Sequence, residues 1–241
     1  MKPGLSEKGL LMKRKTLSAT AKIFVEKGYE GTSSKMVANL LGVSNGSPFY
    51  HYGNKEGVLL ELVKRMFSGQ FISAESLVTP EDDPLLLIAA ETALQMHIVE
   101  LSEPLRDLYV TAYSLPTTSE YIYQSMVPKL TAFFGSFLPN ATREDFYMME
   151  LASAGVTRNF MALPCSDELP LSRKLKQYYT YCFQIYNVPE ERSAPIIEKA
   201  SQMDLTEMAQ SIIDETVRQA DLEFESAMSL KYERKGKRKA E

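Results

Sequence analysis

Residues 43–56 read VSNGSPFYHYGNKE. The stretch opens on turn-formers, Ser44, Asn45, Gly46, Ser47 and Pro48, and then sets Phe49, Tyr50, His51 and Tyr52 side by side. It breaks again at Gly53-Asn54 and restarts on Lys55. A segment so fenced by helix breakers is too short for a good core helix and too aromatic for an ordinary loop. Either the rings pack together in a small core, or some turn inward and the others are held out for a partner.

The neighbouring residues bear on that choice. Upstream, Leu17, Ala21, Phe24 and Val25 follow helical spacing, and Gly28 is placed to end their helix. Thr32 or Ser33 can cap a second helix with apolar Met36, Val37, Leu40 and Leu41, closed by Gly42. Downstream, Asn54 caps a longer helix with Val58, Leu59, Leu62, Val63 and Met66 on its inner face. A short helix, a glycine-containing turn and a second short helix make a helix-turn-helix. Its second helix lies in the DNA major groove and meets base edges with its N-terminal residues. Pro48 costs little early in such a helix, where the first N–H groups have no intrahelical partner. Tyr50 and His51 carry polar tips on flat bodies, suited to phosphate and thymine-methyl contacts. Phe49 and Tyr52 sit three apart and share a face, on which at least one packs inward.

Charge divides the chain in the same way. Residues 1–70 hold 11 Lys+Arg and 5 Asp+Glu, and residues 231–241 hold 6 and 2. The intervening residues hold 10 and 24, giving a basic head on an acidic body. Such asymmetry hints at nucleic-acid contact.

The stretch LSATAKIFVEKGYEGTSSKMVANLLGVSNGSPFYHYGNKEGVLLELV resembles the DNA-binding domain of the TetR family of transcriptional regulators. The resemblance rests on A-x-x-F-x-x-x-G-Y, on T-S before the second helix, on L-G-V-S, on G-S-x-F-Y-H-Y and on N-K-E in linked spacing. It covers about residues 10–65. It implies an all-α homodimer with three DNA-binding helices and a helical domain that binds a small ligand, whose binding releases a near-palindromic operator on double-stranded DNA. Carried over by position, Lys35 and Asn45 match base-contacting places. Thr32, Ser33, Ser47, Phe49, Tyr50, His51 and Lys55 match places that touch phosphate, sugar or base edges. Pro48 stands where an apolar residue such as Leu is usual, and Phe49 where Tyr is usual. The domains expected are a helix-turn-helix domain over 1–70, a ligand-binding and dimerisation domain over 71–232, and a basic tail over 233–241.

Beyond residue 75 the pattern predicts longer helices. Asp83-Pro84 opens one with Leu87, Ala90, Leu94 and Ile98. Ser102 to Pro104 restarts the chain, and Pro116 is expected to stop it. Helices are expected over 121–137, from Thr142 to about Leu163 behind a Thr142/Asp145 capping box, over 170–186, and from Asp204 to about Tyr232. No strand run appears. Aromatic and Met side chains supply pocket candidates, Tyr109, Tyr113, Phe134, Phe137, Met149, Phe160, Met161, Tyr178, Tyr179 and Phe183, which suit an apolar or aromatic effector. The dimer surface is expected near 143–163 and 168–186, with the last helix as competitor.

Other functions find little support. The sequence has no Gly-rich phosphate loop, no H-E-x-x-H and no G-x-S-x-G, so no enzyme is expected. No cofactor or metal is expected. Cys165 and Cys182 form no C-x-x-C pair. No apolar run reaches the ~18 residues of a membrane span, and the first residues lack a signal-peptide pattern, so a cytoplasmic protein is expected. The competing readings are a DNA-binding activator or architectural protein without a ligand, and a helical enzyme or carrier.

Overall fold

A computed structural model describes residues 6–43 and 48–237. The described residues form ten α-helices and two short 3-10 turns, with no strand among them, as the all-α reading requires. Helix α1 (Glu7–Lys27) is capped by the Ser6 side chain. It ends at Gly28, whose φ is +73° and whose Cα is so close to Asp107 that an added Cβ would lie 2.5 Å from Oδ2. Helix α2 (Ser34–Leu41) starts on the Ser33 hydroxyl, which accepts from Met36 N, and stops at Gly42 in the left-handed conformation (φ 61°, ψ 37°). Val37, Ala38 and Leu41 are buried, but Leu40, another of the helix's apolar positions, is exposed.

A single 3-10 turn, Tyr50–Tyr52, follows where a short second helix was expected. The earlier part of that expected helix, with Asn45 and Ser47, lies outside the described residues. Helix α3 (Lys55–Glu75) begins on Asn54, whose side chain accepts from Gly57 N. It runs through the boundary expected at residue 70, and Phe71 belongs to the core of the head.

The body is built round α4 (Leu85–Leu101), which is buried on nearly every side and packs against α3, α5 (Glu103–Ala112), α8 (Leu171–Ile185), α9 (Glu190–Ser201) and α10 (Thr206–Lys237). A helix apolar all round belongs in the middle of a bundle. Pro116 begins α6 (Pro116–Phe134) instead of ending α5, because a first-turn proline gives up no helical hydrogen bond. Thr142 and Asp145 form the expected capping box of α7 (Arg143–Ala162). Helix α9 was not expected, and α10 runs past Tyr232 to Lys237.

Head and body are fused. The core of α1–α3 takes in Leu108 and Ala112 of α5, Ile122 of α6 and Ala220 of α10. Helix α10 lies along α1, held by ion pairs Lys22–Asp221 (2.6 Å) and Arg65–Glu223 (3.4 Å). Inside the body, the buried Lys174 ammonium donates to Glu100 Oε1 at 2.8 Å and to Leu163 O, and Arg106 reaches Glu100 Oε2 at 3.0 Å. Burial pushes the Glu100 carboxyl up, but the bonds from Lys174 and from Cys165 N hold it below the usual carboxylate value.

Candidate nucleic-acid interface and effector cavity

The aromatic run is divided between protein and solvent. Phe49, 3% exposed, is part of the head core with Leu17, Phe24 and Val58. Tyr52 also turns inward, its hydroxyl donating to Lys13 O at 3.0 Å beneath the Lys13 ammonium, 5.1 Å from the ring centre. Thr16 Oγ1 donates to Pro48 O at 3.1 Å and pins the start of the run to α1. Between these anchors Tyr50 stands 79% exposed, edge-on to the half-exposed His51 at 5.3 Å between ring centres. Lys35 and Ser33 are exposed near the start of α2, with the Ser33 oxygen also capping the helix.

Three expected contacts are corrected by this geometry. Phe49 is core, so its side chain has no free face for DNA. Thr32 is buried and its hydroxyl donates to Gly28 O at 2.6 Å. Lys55 donates to Tyr29 O at 2.8 Å and Thr32 O at 3.0 Å, with the Tyr29 ring 3.9 Å from its nitrogen. Burial lowers its pKa, and its charge serves the fold of the head. Of the residues expected to touch DNA, Ser33, Lys35, Tyr50 and His51 stand at the surface; Asn45 and Ser47 lie outside the described residues.

In the body, a cavity of about 60 Å³ lies among α4, α6, α7 and α8. Five of the ten expected pocket residues line it: Tyr113, Phe134, Tyr178, Tyr179 and Phe183. Tyr109 instead lines a smaller space of about 30 Å³ against α3, where it is bonded to Gln70. Phe137, Met149, Phe160 and Met161 line no described cavity; Met161 is fully buried, and the other three pack against the body core. The polar lining was missed: Glu91, Gln95, Glu150, Ser153, Thr157 and Tyr186. Its signal was present, since Glu91 and Gln95 interrupt an apolar helix four apart, and Glu150, Ser153 and Thr157 share a face of α7.

Gln95 Nε2 donates to Glu91 Oε1 at 2.5 Å. Ser153 Oγ donates to Glu150 Oε2 at 3.1 Å and meets the Tyr186 hydroxyl at 2.8 Å. Burial pushes Glu91 up to about 7, with Gln95 and Lys129 acting the other way. Burial pushes Glu150 up to about 8; the bonds from Ser153 and Tyr186 oppose the rise and the Glu91 charge adds to it. A second, larger space of about 430 Å³ separates α1 and α3 from α5 and α10, with Leu17, Phe24, Met66, Leu108 and Ile213 on its walls. Among the described residues no group of three or more metal-ligating side chains occurs, and no helix is long and apolar enough to cross a membrane.

Residues 17–62 match the model for "Bacterial regulatory proteins, tetR family". The chain is 30% identical over 105 residues to the biofilm operon icaADBC HTH-type negative transcriptional regulator IcaR of Staphylococcus epidermidis, covering 44% of this chain and 55% of that protein. It is 27% identical over 188 residues to the HTH-type transcriptional regulator LmrA of Bacillus subtilis, covering 65% of this chain and 95% of that protein. It is 24% identical over 143 residues to IcaR of Staphylococcus aureus, covering 56% and 76%. The match to the first of these spans about half of that relative's length. These relatives are named as transcriptional regulators, none as an enzyme. The later half of α1, the whole of α2 and the anchored aromatic turn lie inside the matched residues, so it is the head of this chain that carries a TetR-family DNA-binding domain.

Proposed function

We propose that the chain is a DNA-binding transcriptional repressor that grips a near-palindromic operator as a homodimer and is released by a small effector. The observation that carries the reading is the division of the aromatic run. Phe49 and Tyr52 fasten the turn to α1, and Tyr50 with His51 is thereby held out at the surface. A large ring left in solvent between a buried ring and a partly buried one is costly to ordinary packing and useful at a groove. The relatives' names support transcription as the process, and the word "negative" in the name of IcaR supports repression.

The expected dimer face has support on α7 and α8. Met148, Ala152, Gly155, Val156 and Asn159 form one exposed or half-exposed stripe on α7, and Tyr181 stands exposed on α8. A Cβ at Gly155 would meet nothing within 4 Å, leaving room for a second copy. Two-fold pairing there implies half-sites about one helical turn of DNA apart or a multiple of it. The effector is placed in the cavity among α4, α6, α7 and α8. Ligand releases the operator only if it binds the non-DNA conformation more tightly.

The test is binding of the purified chain to the DNA upstream of its own gene across a salt series, with Tyr50→Ala alongside. Salt-steep binding by the wild type that the variant loses supports the reading. Equal binding by both proteins would remove the aromatic turn from the interface.

A further inference from the structure

Two carboxyl groups are sunk into the cavity among α4, α6, α7 and α8 with no cation to meet them. Glu91 is 2% exposed and Glu150 4%. Among the described residues neither forms an ion pair. Lys129 bears on Glu91 only through space, its own ammonium lying 3.9 Å from the centre of the Phe71 ring. A buried carboxylate is costly unless it is paired, and two on one cavity each oppose the other's ionisation. Nothing in the packing of the body calls for them, since glutamine has the same shape and needs no counter-charge.

The walls of the cavity favour the missing charge. Phe134 and Tyr186 stack with centres 4.2 Å apart and planes 8° apart. The hydroxyls of Tyr186, Tyr178 and Tyr179 are engaged with Ser153, Thr157 and Ala89 O. The rings therefore offer the cavity mainly faces and edges, and aromatic faces attract cations. No Lys or Arg lines the space. An anion would meet two acids there, and a neutral apolar molecule would leave both acids without a counter-charge.

We propose that this cavity is a binding site for a small organic cation, a primary or methylated amine whose charged head sits between Glu91 and Glu150 and whose body lies against the aromatic walls. This names the chemistry of the effector, and its regulatory role rests on the function proposed above. The free volume of about 60 Å³ admits a head group, so a larger body enters only as the helices around the cavity part. Helix α4 packs directly on α3, the helix that leads from the head into the body, so its displacement reaches the DNA-binding surface.

The experiment is calorimetric titration of the full chain with methylammonium, tetramethylammonium and benzylamine, with benzyl alcohol as the neutral counterpart of the last. Binding of a cation is expected, with benzylamine preferred over benzyl alcohol. Glu91→Gln and Glu150→Gln should each weaken it by at least roughly tenfold, as expected when one partner of a buried charge pair is removed. Both substitutions keep side-chain volume, and circular dichroism checks that the variants are folded. Tetramethylammonium cannot titrate, so its affinity should climb as pH rises through about 7 to 8, where the two acids ionise. Of the other groups facing them, burial holds Tyr109 of α5 and Tyr113 just past its end, Tyr178, Tyr179 and Cys182 of α8, and Tyr186 just past its end, above that range, and Lys129 of α6 bears on Glu91 through space. Absence of heat with all three cations, equal binding of benzyl alcohol, or unchanged affinity in both variants would overturn the site. Operator binding is measured in parallel. Cation binding without operator release removes only the effector role, and operator binding without cation binding removes only the cation site.

Discussion

The Lys55 ammonium lies 2.8 Å from the carbonyl oxygen of Tyr29 and 3.9 Å from the centre of the same residue's ring. One residue thus holds the cation by two of its parts, and Thr32 O takes a third position at 3.0 Å. The Lys55→Met variant leaves two backbone oxygens short of a donor. It should lose about 1–3 kcal/mol of stability, read by denaturant unfolding. The salt dependence of operator binding should keep its slope. Unchanged stability with a shallower slope would return Lys55 to the phosphate contacts.

Phe49 and Tyr50 are chain neighbours with opposite tasks. Phe49→Ala opens a hole in the head core and should cost about 3–5 kcal/mol. Tyr50→Ala removes an exposed ring and should stay within about 0.5 kcal/mol of the wild type. Thermal melts of the two variants should therefore separate widely. If both melt early, the whole run is core and the exposed placement of Tyr50 is wrong.

Acidity should stabilise the body through Glu91 and Glu150. Their folded values, about 7 and about 8, lie above the ordinary 4.5, so the folded state holds protons that the unfolded chain has released. The contribution is complete below about pH 4.5 and is lost as pH rises through 7 and 8, at up to about 1.4 kcal/mol per pH unit for each group. Glu150→Gln should flatten the decline in urea unfolding series across that window. A stability that rises from pH 5 to 8 in the wild type and the variant alike would contradict the burial of these acids.

The Lys174 ammonium is buried between α8, Glu100 of α4 and the carbonyl of Leu163. Lys174→Met leaves Glu100 with only Arg106 and the Cys165 N–H as partners and should cost about 3–5 kcal/mol. Replacing Lys176, whose ion pair with Glu198 is exposed, should cost at most about 1 kcal/mol. Similar losses at the two positions, measured by chemical unfolding, would deny the buried pair its structural role.

For the proposed dimer, Met148→Asp places a charge on the exposed stripe of α7. Met148 is 64% exposed in the single chain, so the monomer's fold should tolerate the change. Sedimentation should show the wild type as a dimer and the variant shifted toward monomer. A variant that stays dimeric would move the interface elsewhere, with α10 the next surface to examine.

Local chemistry was the legible part of the chain. Ser33, Asn54 and the Thr142/Asp145 box announced helix starts because a cap is a short-range hydrogen bond between near neighbours. Pro116 was ambiguous because a proline both follows one helix and begins the next. Helix α9 escaped notice because Pro195 lies inside it and few of its side chains are apolar. Lys55 was misread because its charge is visible in sequence while the carbonyls of Tyr29 and Thr32 that absorb it are not. The cavity was half legible. The aromatic residues drew attention to α8, but Glu91 and Glu150, themselves 59 positions apart in sequence, meet only in the folded body.

The lie of α10 along α1 has a consequence for how the chain is made. Lys22 and its partner Asp221 are separated by most of the polypeptide. At about 5–20 residues per second, a ribosome needs on the order of 10–40 s to travel between them. For that interval the newborn head carries its Leu17–Phe24 side bare, because Ile213 and Ala220, which lie across from it, have yet to be translated. Helix α1 is thus finished by a helix translated long after it, and a message cut short before α10 yields a head that keeps an open apolar flank.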